Sequence, residues 1–401
     1  MDRFDISHNE LELGGLPLSL LAERVGQTPF YAYDRSLIAA RVQAVRQVLP
    51  HNVHLHYALK ANPMPALVSF VRPLVDGMDV ASAGELKLAL DAGADPQSIG
   101  FAGPGKRDAE LRQAVAAGVL LHAESERELR VLAEAAQAVG RAARVALRIN
   151  PDFELRGAGM HMGGGAKPFG IDAEQVPALL RGMVQDGLVF EGFHIYPGSQ
   201  NLRGHVIAES LRRSFDLALR LACDAPAPVR HINLGGGWGI PYFPGEQALN
   251  LAPVAAMLAQ VQSDLEGALP SARLVLELGR YLVGEAGVYV ARVMDRKVSR
   301  GQVFLVTDGG MHHHLAASGN FGQVIRRNYP VVIGNRLQAA KREVASVVGP
   351  LCTPLDLLAD RMELAVAQLG DLVVVFQSGA YGATASPQAF LGHPPCLEVL
   401  V

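Results

Sequence analysis

The chain has 401 residues, with 36 lysines and arginines against 39 aspartates and glutamates, a formal net charge of −3. Its 49% hydrophobic and 19% charged fractions exclude a disordered or fibrous protein, and the near-neutral balance excludes a dedicated nucleic-acid binder, which needs a basic excess. Three cysteines (Cys223, Cys352, Cys396) are too few for a disulfide scaffold, no apolar run reaches the roughly 18 residues of a membrane helix, and the acidic first residues lack a signal-peptide core, so a cytoplasmic protein with no membrane partner is expected.

Residues 28–33 read as a lone early strand. From residue 54 onward, short apolar runs alternate with amphipathic ones. Strands are expected at 54–59, 77–80, 99–102, 120–123, 144–150, 190–196, 231–234 and 274–277. Helices are expected at 64–71, 83–92, 107–117 and 126–139. Such alternation predicts parallel strands joined by crossover helices, and about eight such units predict an α/β fold, a (β/α)8 barrel. After residue 281 the runs 288–293, 303–308, 331–333, 341–348 and 371–376 are strand-like and mostly turn-separated. They predict a mostly β domain. The expected organisation is an N-terminal segment, 1–34, pairing with the β domain, then a barrel over 35–280 and a C-terminal β-barrel or sandwich over 281–401.

Six places carry candidate chemistry. Lys60 ends an apolar strand, where barrel active sites are built, and partial desolvation there would activate its amine. Gly235, Gly236 and Gly237 follow a strand and free their amides to cradle a phosphate. Glu277, before Gly279 and Arg280, ends the last barrel strand and suits a protonated pyridine nitrogen. His194 ends another strand, with Ser199 close behind. Cys352 lies in a turn with Asp356 and can serve as a proton donor. Tyr381 sits in a glycine turn. Singly, each has a structural explanation: a snorkelling lysine, a bare glycine turn, an acid–base bridge, a core histidine, an inert cysteine, a core tyrosine.

Together, in this order and over residues 28–394, they resemble the fold-type III pyridoxal-phosphate decarboxylases, the group of diaminopimelate and ornithine decarboxylases. Segments 101–108, 308–330 and 380–394 are similar to the pyridoxal-dependent decarboxylases associated with the exosortase A system. The resemblance implies an alanine racemase-like barrel that binds pyridoxal 5'-phosphate. It implies that Lys60 bears the cofactor, that His194 stacks on its ring, and that Glu277 faces the ring nitrogen with Arg148 nearby. Ser199, Gly235, Gly236, Gly237, Gly279, Arg280 and Tyr381 would bind the cofactor around its phosphate, and Asp79 matches an acid near the lysine. Cys352 would cross into the active site of a second copy, which implies a homodimer with shared sites. Cys352 or Lys60 would reprotonate the carbon after carbon dioxide leaves.

The chain departs from this group where the distal end of the substrate is read. Diaminopimelate decarboxylases carry Cys-Glu-Ser; here Thr353 follows Cys352. Their distal Arg and Tyr match Ala316 and Asn320, with Arg326 or Arg327 as candidate substitutes and Asp356 as a further substrate residue. A site without those charges is expected to take an amino acid with a neutral distal end, tethered to an acyl carrier protein or amide-linked to another acid. The alternatives are a genuine meso-diaminopimelate decarboxylase and a fold-type III amino-acid racemase. Glu277 favours decarboxylation over racemisation, since alanine racemases place an Arg at the ring nitrogen. No metal is expected: His312, His313 and His314 are adjacent and cannot easily converge on one ion, so they read as loop residues near the substrate mouth. Cys223 and Cys396 read as packing residues.

Overall fold

Short runs of Val, Leu and Ile separated by amphipathic helices bury both faces only in a parallel sheet covered by those helices. The computed structural model, which describes residues 3–154, 160–183 and 187–401, has this arrangement in the first of two compact units, Val42–Ile240 with Gln247–Tyr281. Among the described residues eight parallel strands form a ring, Val53–Ala58, Gly77–Val80, Ile99–Phe101, Leu120–Ala123, Ala143–Asn150, Leu188–Ile195, His231–Gly236 and Arg273–Leu278, and the two-residue strand Ile171–Asp172 adds to the fifth in parallel. The last returns to the first, Leu274 opposite Val53 and Leu278 opposite Tyr57, which closes a barrel.

Local chemistry sets the helices between them. Ser82 and Ser125 accept the Glu85 and Glu128 amides at 3.2 Å and cap Ala83–Asp91 and Glu126–Val139. The 19-residue helix Gly204–Ala222 buries Ile207, Leu211, Phe215, Ala218 and Leu221 on one face. Truncating one of these, as in Leu211→Ala, should cost about 2–5 kcal/mol. Two register shifts, at Phe190/Gly192 and Asn233/Gly236, bend the sixth and seventh strands. The second sets Gly236 opposite Glu277.

The second unit comprises residues 1–41, 241–246 and 282–401. Its long strand Gly287–Ser299 pairs with Phe30–Tyr33, Gln302–Thr307 and Leu372–Val375. Phe30–Tyr33 also carries Leu397–Leu400 in parallel, so the early strand joins the β-rich unit. Phe30, Ala32, Val288, Val290, Leu372 and Val374 meet Leu11, Leu13, Leu18 and Leu21 in one core, every second residue of each strand facing it. Leu357–Ala365, paired with Arg342–Val348, is a strand the sequence reading does not contain.

One expectation is corrected, that of Cys223 as a packing residue, and the three adjacent histidines lie in a turn and loop as expected. Cys223 is exposed just past the helix Gly204–Ala222, its thiol directed back to the Leu219 carbonyl at 3.8 Å, whereas Cys396 is buried. His312, His313 and His314 are buried in the β-rich unit, His313 bonded to the Pro394 carbonyl at 2.8 Å and His314 to the Ser378 hydroxyl at 2.9 Å. Among the described residues, no group of three or more His, Cys, Asp or Glu is arranged to hold a metal, and no helix is long and apolar enough to cross a membrane.

Candidate active site

The first barrel strand ends at Ala58 and turns through Leu59–Ala61, which puts Lys60 at the carboxyl end of the barrel. Asn62 fixes the turn, its Oδ1 accepting the Met64 amide at 3.0 Å and its carbonyl the Tyr57 hydroxyl at 2.8 Å. The expected desolvation of Lys60 is not found. The side chain is exposed on the single chain, its ammonium 5.3 Å from the centroid of the Tyr196 ring, within cation–π range.

Alternate strand residues point into a barrel, and here several are polar. Glu277, buried on the last strand, accepts from Asn233 Nδ2 at 3.2 Å. Asn233 Oδ1 in turn accepts the Gly235 amide at 2.7 Å, so one asparagine holds both the carboxylate and the glycine loop. Gly235 and Gly237 have left-handed φ of +70° and +71°, and a Cβ on Gly236 would lie 2.0 Å from the Glu277 carbonyl. Only glycines let this loop lie on the last strand. His194 Nε2 stands 3.3 Å from Glu277 Oε2, facing it outside hydrogen-bond alignment. Burial pushes the Glu277 carboxyl up, but the His194 side chain facing it, then Lys60 and Arg148, outweigh burial and hold the group well below the usual carboxylate range. Glu277 is ionised at neutral pH.

Arg148, on the fifth strand, donates to Glu124 Oε1 at 2.7 Å with both groups buried. Glu124 also takes the Gly103 and Gly170 amides at 2.6 and 3.0 Å. Burial raises its pKa, and Arg148 and Lys106 outweigh that and lower it. Lys106 pairs with Glu128 at 3.0 Å beside them. Such buried pairs contribute less to stability than to placement; here they fix where Arg148 stands. Asp79 Oδ2 meets His56 Nδ1 at 3.1 Å, and its Oδ1 is buried without a hydrogen-bond partner. Ser199 lies on the short strand Gly198–Ser199, Gly279 directly follows the last strand, and Arg280 opens the helix after it.

The barrel unit therefore gathers Lys60, Asp79, Arg148, His194, Ser199, Gly235, Gly236, Gly237, Glu277, Gly279 and Arg280 on its strands and carboxyl-end loops. Sequence reasoning missed His56, His122, Glu124 and Asn233. The available signals were the period-two spacing of His54 and His56 and an Asn two residues before Gly235, an Asx-turn position.

The remaining expected residues belong to the β-rich unit. Cys352 is exposed in the turn after Arg342–Val348, with Thr353 half-buried beside it. Tyr381 is half-buried, with a left-handed φ of +54°. Asp356 is buried, and its oxygens accept the Met311 amide at 2.6 Å and the Leu351 amide at 2.8 Å. It fastens two turns together, which takes up the carboxylate expected to meet substrate. Ala316 is buried and Asn320 exposed. Neither nearby arginine is at liberty to replace them. Arg326 donates to the Ser318 and Leu357 carbonyls at 3.1 and 2.8 Å and to Asn328 at 2.8 Å. Arg327 stacks 3.9 Å over Phe243 and pairs with Glu246 at 3.0 Å.

The barrel residues suit pyridoxal phosphate. An ionised, buried carboxylate matches a protonated pyridine nitrogen, a buried imidazole nitrogen without a hydrogen-bond partner stands beside it, and an amine lies at the barrel mouth.

Known proteins agree with this geometry. A family model described as "Pyridoxal-dependent decarboxylase, pyridoxal binding domain" matches residues 35–284. The chain is 40% identical over 380 residues to the L-glutamyl-[BtrI acyl-carrier protein] decarboxylase of Niallia circulans, covering 93% of this chain and 89% of the relative. It is 33% identical over 395 residues to the diaminopimelate decarboxylase of Aquifex aeolicus, covering 98% and 90%. The crystal structure of diaminopimelate decarboxylase from M. jannaschii with L-lysine matches with a TM-score of 0.89 at 25% identity, over 100% of this chain and 93% of that one.

Proposed function

The chain belongs to the pyridoxal-dependent decarboxylases, and from that premise we propose that it releases carbon dioxide from an amino acid whose distal end is uncharged because it is joined to an acyl carrier or another acid. The observation that carries this is the state of the distal-end positions. Thr353 has no charge, Ala316 is buried, and Arg326 and Arg327 are both committed to protein partners. A relative named for a carrier-bound glutamyl substrate supports the reading, as does the likeness of segments 101–108, 308–330 and 380–394 to exosortase-associated decarboxylases.

Pyridoxal phosphate is the cofactor, and when bound it supplies the sink for the electrons that carbon dioxide leaves behind. Lys60 is the amine that would hold it. Glu277, kept ionised, would stabilise a proton on the pyridine nitrogen. Glu124 and Asn233 keep Arg148 and Glu277 in place. Gly235, Gly236, Gly237, Ser199 and Arg280 would hold the phosphate, and His194 would lie beside the ring. Cys352 or Lys60 returns a proton to the carbon.

A second copy completes the site in this reading. Phe321, Val324, Ile325 and Leu355 are exposed in the loops beside Cys352, Asn320 tying them by a 3.4 Å hydrogen bond to the Leu355 carbonyl. A cluster of exposed apolar side chains marks a surface that a partner covers, and Cys352 is carried with it.

The test is carbon dioxide release by the holoenzyme from free meso-diaminopimelate, lysine, ornithine and glutamate, beside carrier-tethered glutamate. Turnover at about 1–10³ s⁻¹ is expected from tethered substrate alone. The same rate from free meso-diaminopimelate would overturn the reading and make this a lysine-forming enzyme.

A further inference from the structure

Small barrels are usually filled by apolar layers, but imidazoles occupy the middle of this one. His56, His122, His194 and His231 come from the first, fourth, sixth and seventh strands. Of these, His122 has the most definite geometry. It is fully buried, and its Nδ1 lies 2.8 Å from Nδ1 of His194, the rings tilted by 55° at 4.5 Å between centroids.

Two ring nitrogens this close share a single proton: two lone pairs would repel and two N–H groups would collide. His122 is surrounded by groups that disfavour a second proton on it. The Lys106 ammonium bonds its carbonyl at 3.0 Å, the His231 ring lies 5.7 Å away, and Arg148 is on the neighbouring strand. Burial first, then His194, His231, Lys106 and Arg148, push its pKa well below the imidazole range. Of the acids around the pair, Glu277 faces His194, and Asp79 approaches His122 across Gly100, where a Cβ would meet both side chains.

We infer that His122 is a positioning residue for the cofactor-facing imidazole, its Nδ1–H donating to His194 Nδ1 so that His194 carries its proton on Nε2, toward Glu277. The opposite arrangement of a neutral pair would aim a bare His194 Nε2 lone pair at the Glu277 carboxylate from 3.3 Å, whereas this one leaves the bare His122 Nε2 toward Asp79 only across Gly100, with no ion-pair approach between them, so the closer repulsion decides. His122 thereby sets both the rotation and the tautomer of the ring beside the ionised acid. The inference rests on the reading of Glu277 and His194 as cofactor neighbours.

The experiment compares wild type, His122→Asn and His122→Leu. Asparagine keeps a donor near the Nδ1 position; leucine fills space without one. Histidine-selective 15N labelling of the full chain, with and without added pyridoxal phosphate, reads the His194 tautomer, while cofactor absorbance against pH and the kcat–KM split read its consequence. Expected are an Nε2–H His194 in wild type and His122→Asn, loss of that single tautomer in His122→Leu, and a kcat lower by roughly 10–100-fold in His122→Leu alone, the usual size when a functional imidazole loses its partner. An unchanged tautomer in His122→Leu, or an equal fall in kcat in His122→Asn, would overturn the inference and leave His122 a packing residue. If wild type takes up no cofactor, the functional reading fails, while the cofactor-free spectra still decide the tautomer.

Discussion

The two units use their buried polar groups in opposite ways. In the barrel, Lys106, Glu124, Glu128 and Arg148 form charge pairs sealed from solvent, and Asn233, Glu277, His122 and His194 form a second cluster beside them. In the β-rich unit the buried carboxylate of Asp356 and the guanidinium of Arg326 bind backbone and so fasten turns. Large apolar side chains at 321–325 and 355 are left in solvent there. The barrel assembles its polar groups within one chain; the other unit fastens its turns and leaves large apolar side chains exposed. Under the proposed function, the difference means that chemistry and substrate choice would be carried on separately stabilised parts.

The severest break of this comparison is Glu124→Ala. It strands the buried Arg148 guanidinium and should lower unfolding free energy by about 3–5 kcal/mol, read by denaturant titration. Glu277→Gln keeps the hydrogen bond from Asn233 but loses the charge. We expect kcat to fall about 10²–10³-fold with the melting temperature nearly unchanged, so equal loss of stability would refute its chemical role. In the β-rich unit, Val324→Asp with Ile325→Asp should halve the mass in light scattering and reduce activity in step, with the barrel's melting behaviour intact; a dimer that survives both charges would place the interface elsewhere.

Acid distinguishes the units more gently. His314 is fully buried, accepting the Ala317 amide at Nδ1 and meeting Ser378 at Nε2, and burial lowers its pKa to about 3. Because the folded value lies below the unfolded one of about 6.5, its stabilisation is complete above that pH and is lost as pH falls toward 3, at about 1.4 kcal/mol per unit. His314→Asn should flatten the pH dependence of stability in that window. The smallest effect is on specificity: Thr353→Glu should raise kcat/KM for free meso-diaminopimelate only severalfold, roughly 1 kcal/mol, because Ala316 and Asn320 still offer nothing to the distal carboxylate.

Much of the barrel was readable because its strands are short, apolar and bounded by turns, and 77–80 and 120–123 match Gly77–Val80 and Leu120–Ala123 residue for residue. Leu357–Ala365 escaped because its run of Asp360, Arg361 and Glu363 hides the period of a strand with partly exposed faces. Residue types and order foreshadowed Lys60, His194, Glu277 and the glycines. The partners of those residues were not legible, since His122 meets His194 across 72 positions and Asn233 meets Glu277 across 44. Nor does a sequence show that Arg326 is spent on carbonyls or that Lys60 stands in solvent.

The pairing of Phe30–Tyr33 with Gly287–Ser299 and Leu397–Leu400 has a consequence during synthesis. At 5–20 residues per second, the early strand leaves the ribosome roughly 10–50 s before its first partner exists, and its second partner, Leu397–Leu400, is made about 100 residues later still. The barrel's strands, nearly continuous between 53 and 278, can meet while translation proceeds. A nascent chain of this protein can therefore carry a formed barrel and an unpaired strand of Phe, Tyr, Ala and Tyr whose side chains are all buried in the folded protein, and it is that strand a ribosome-associated chaperone would have to shield.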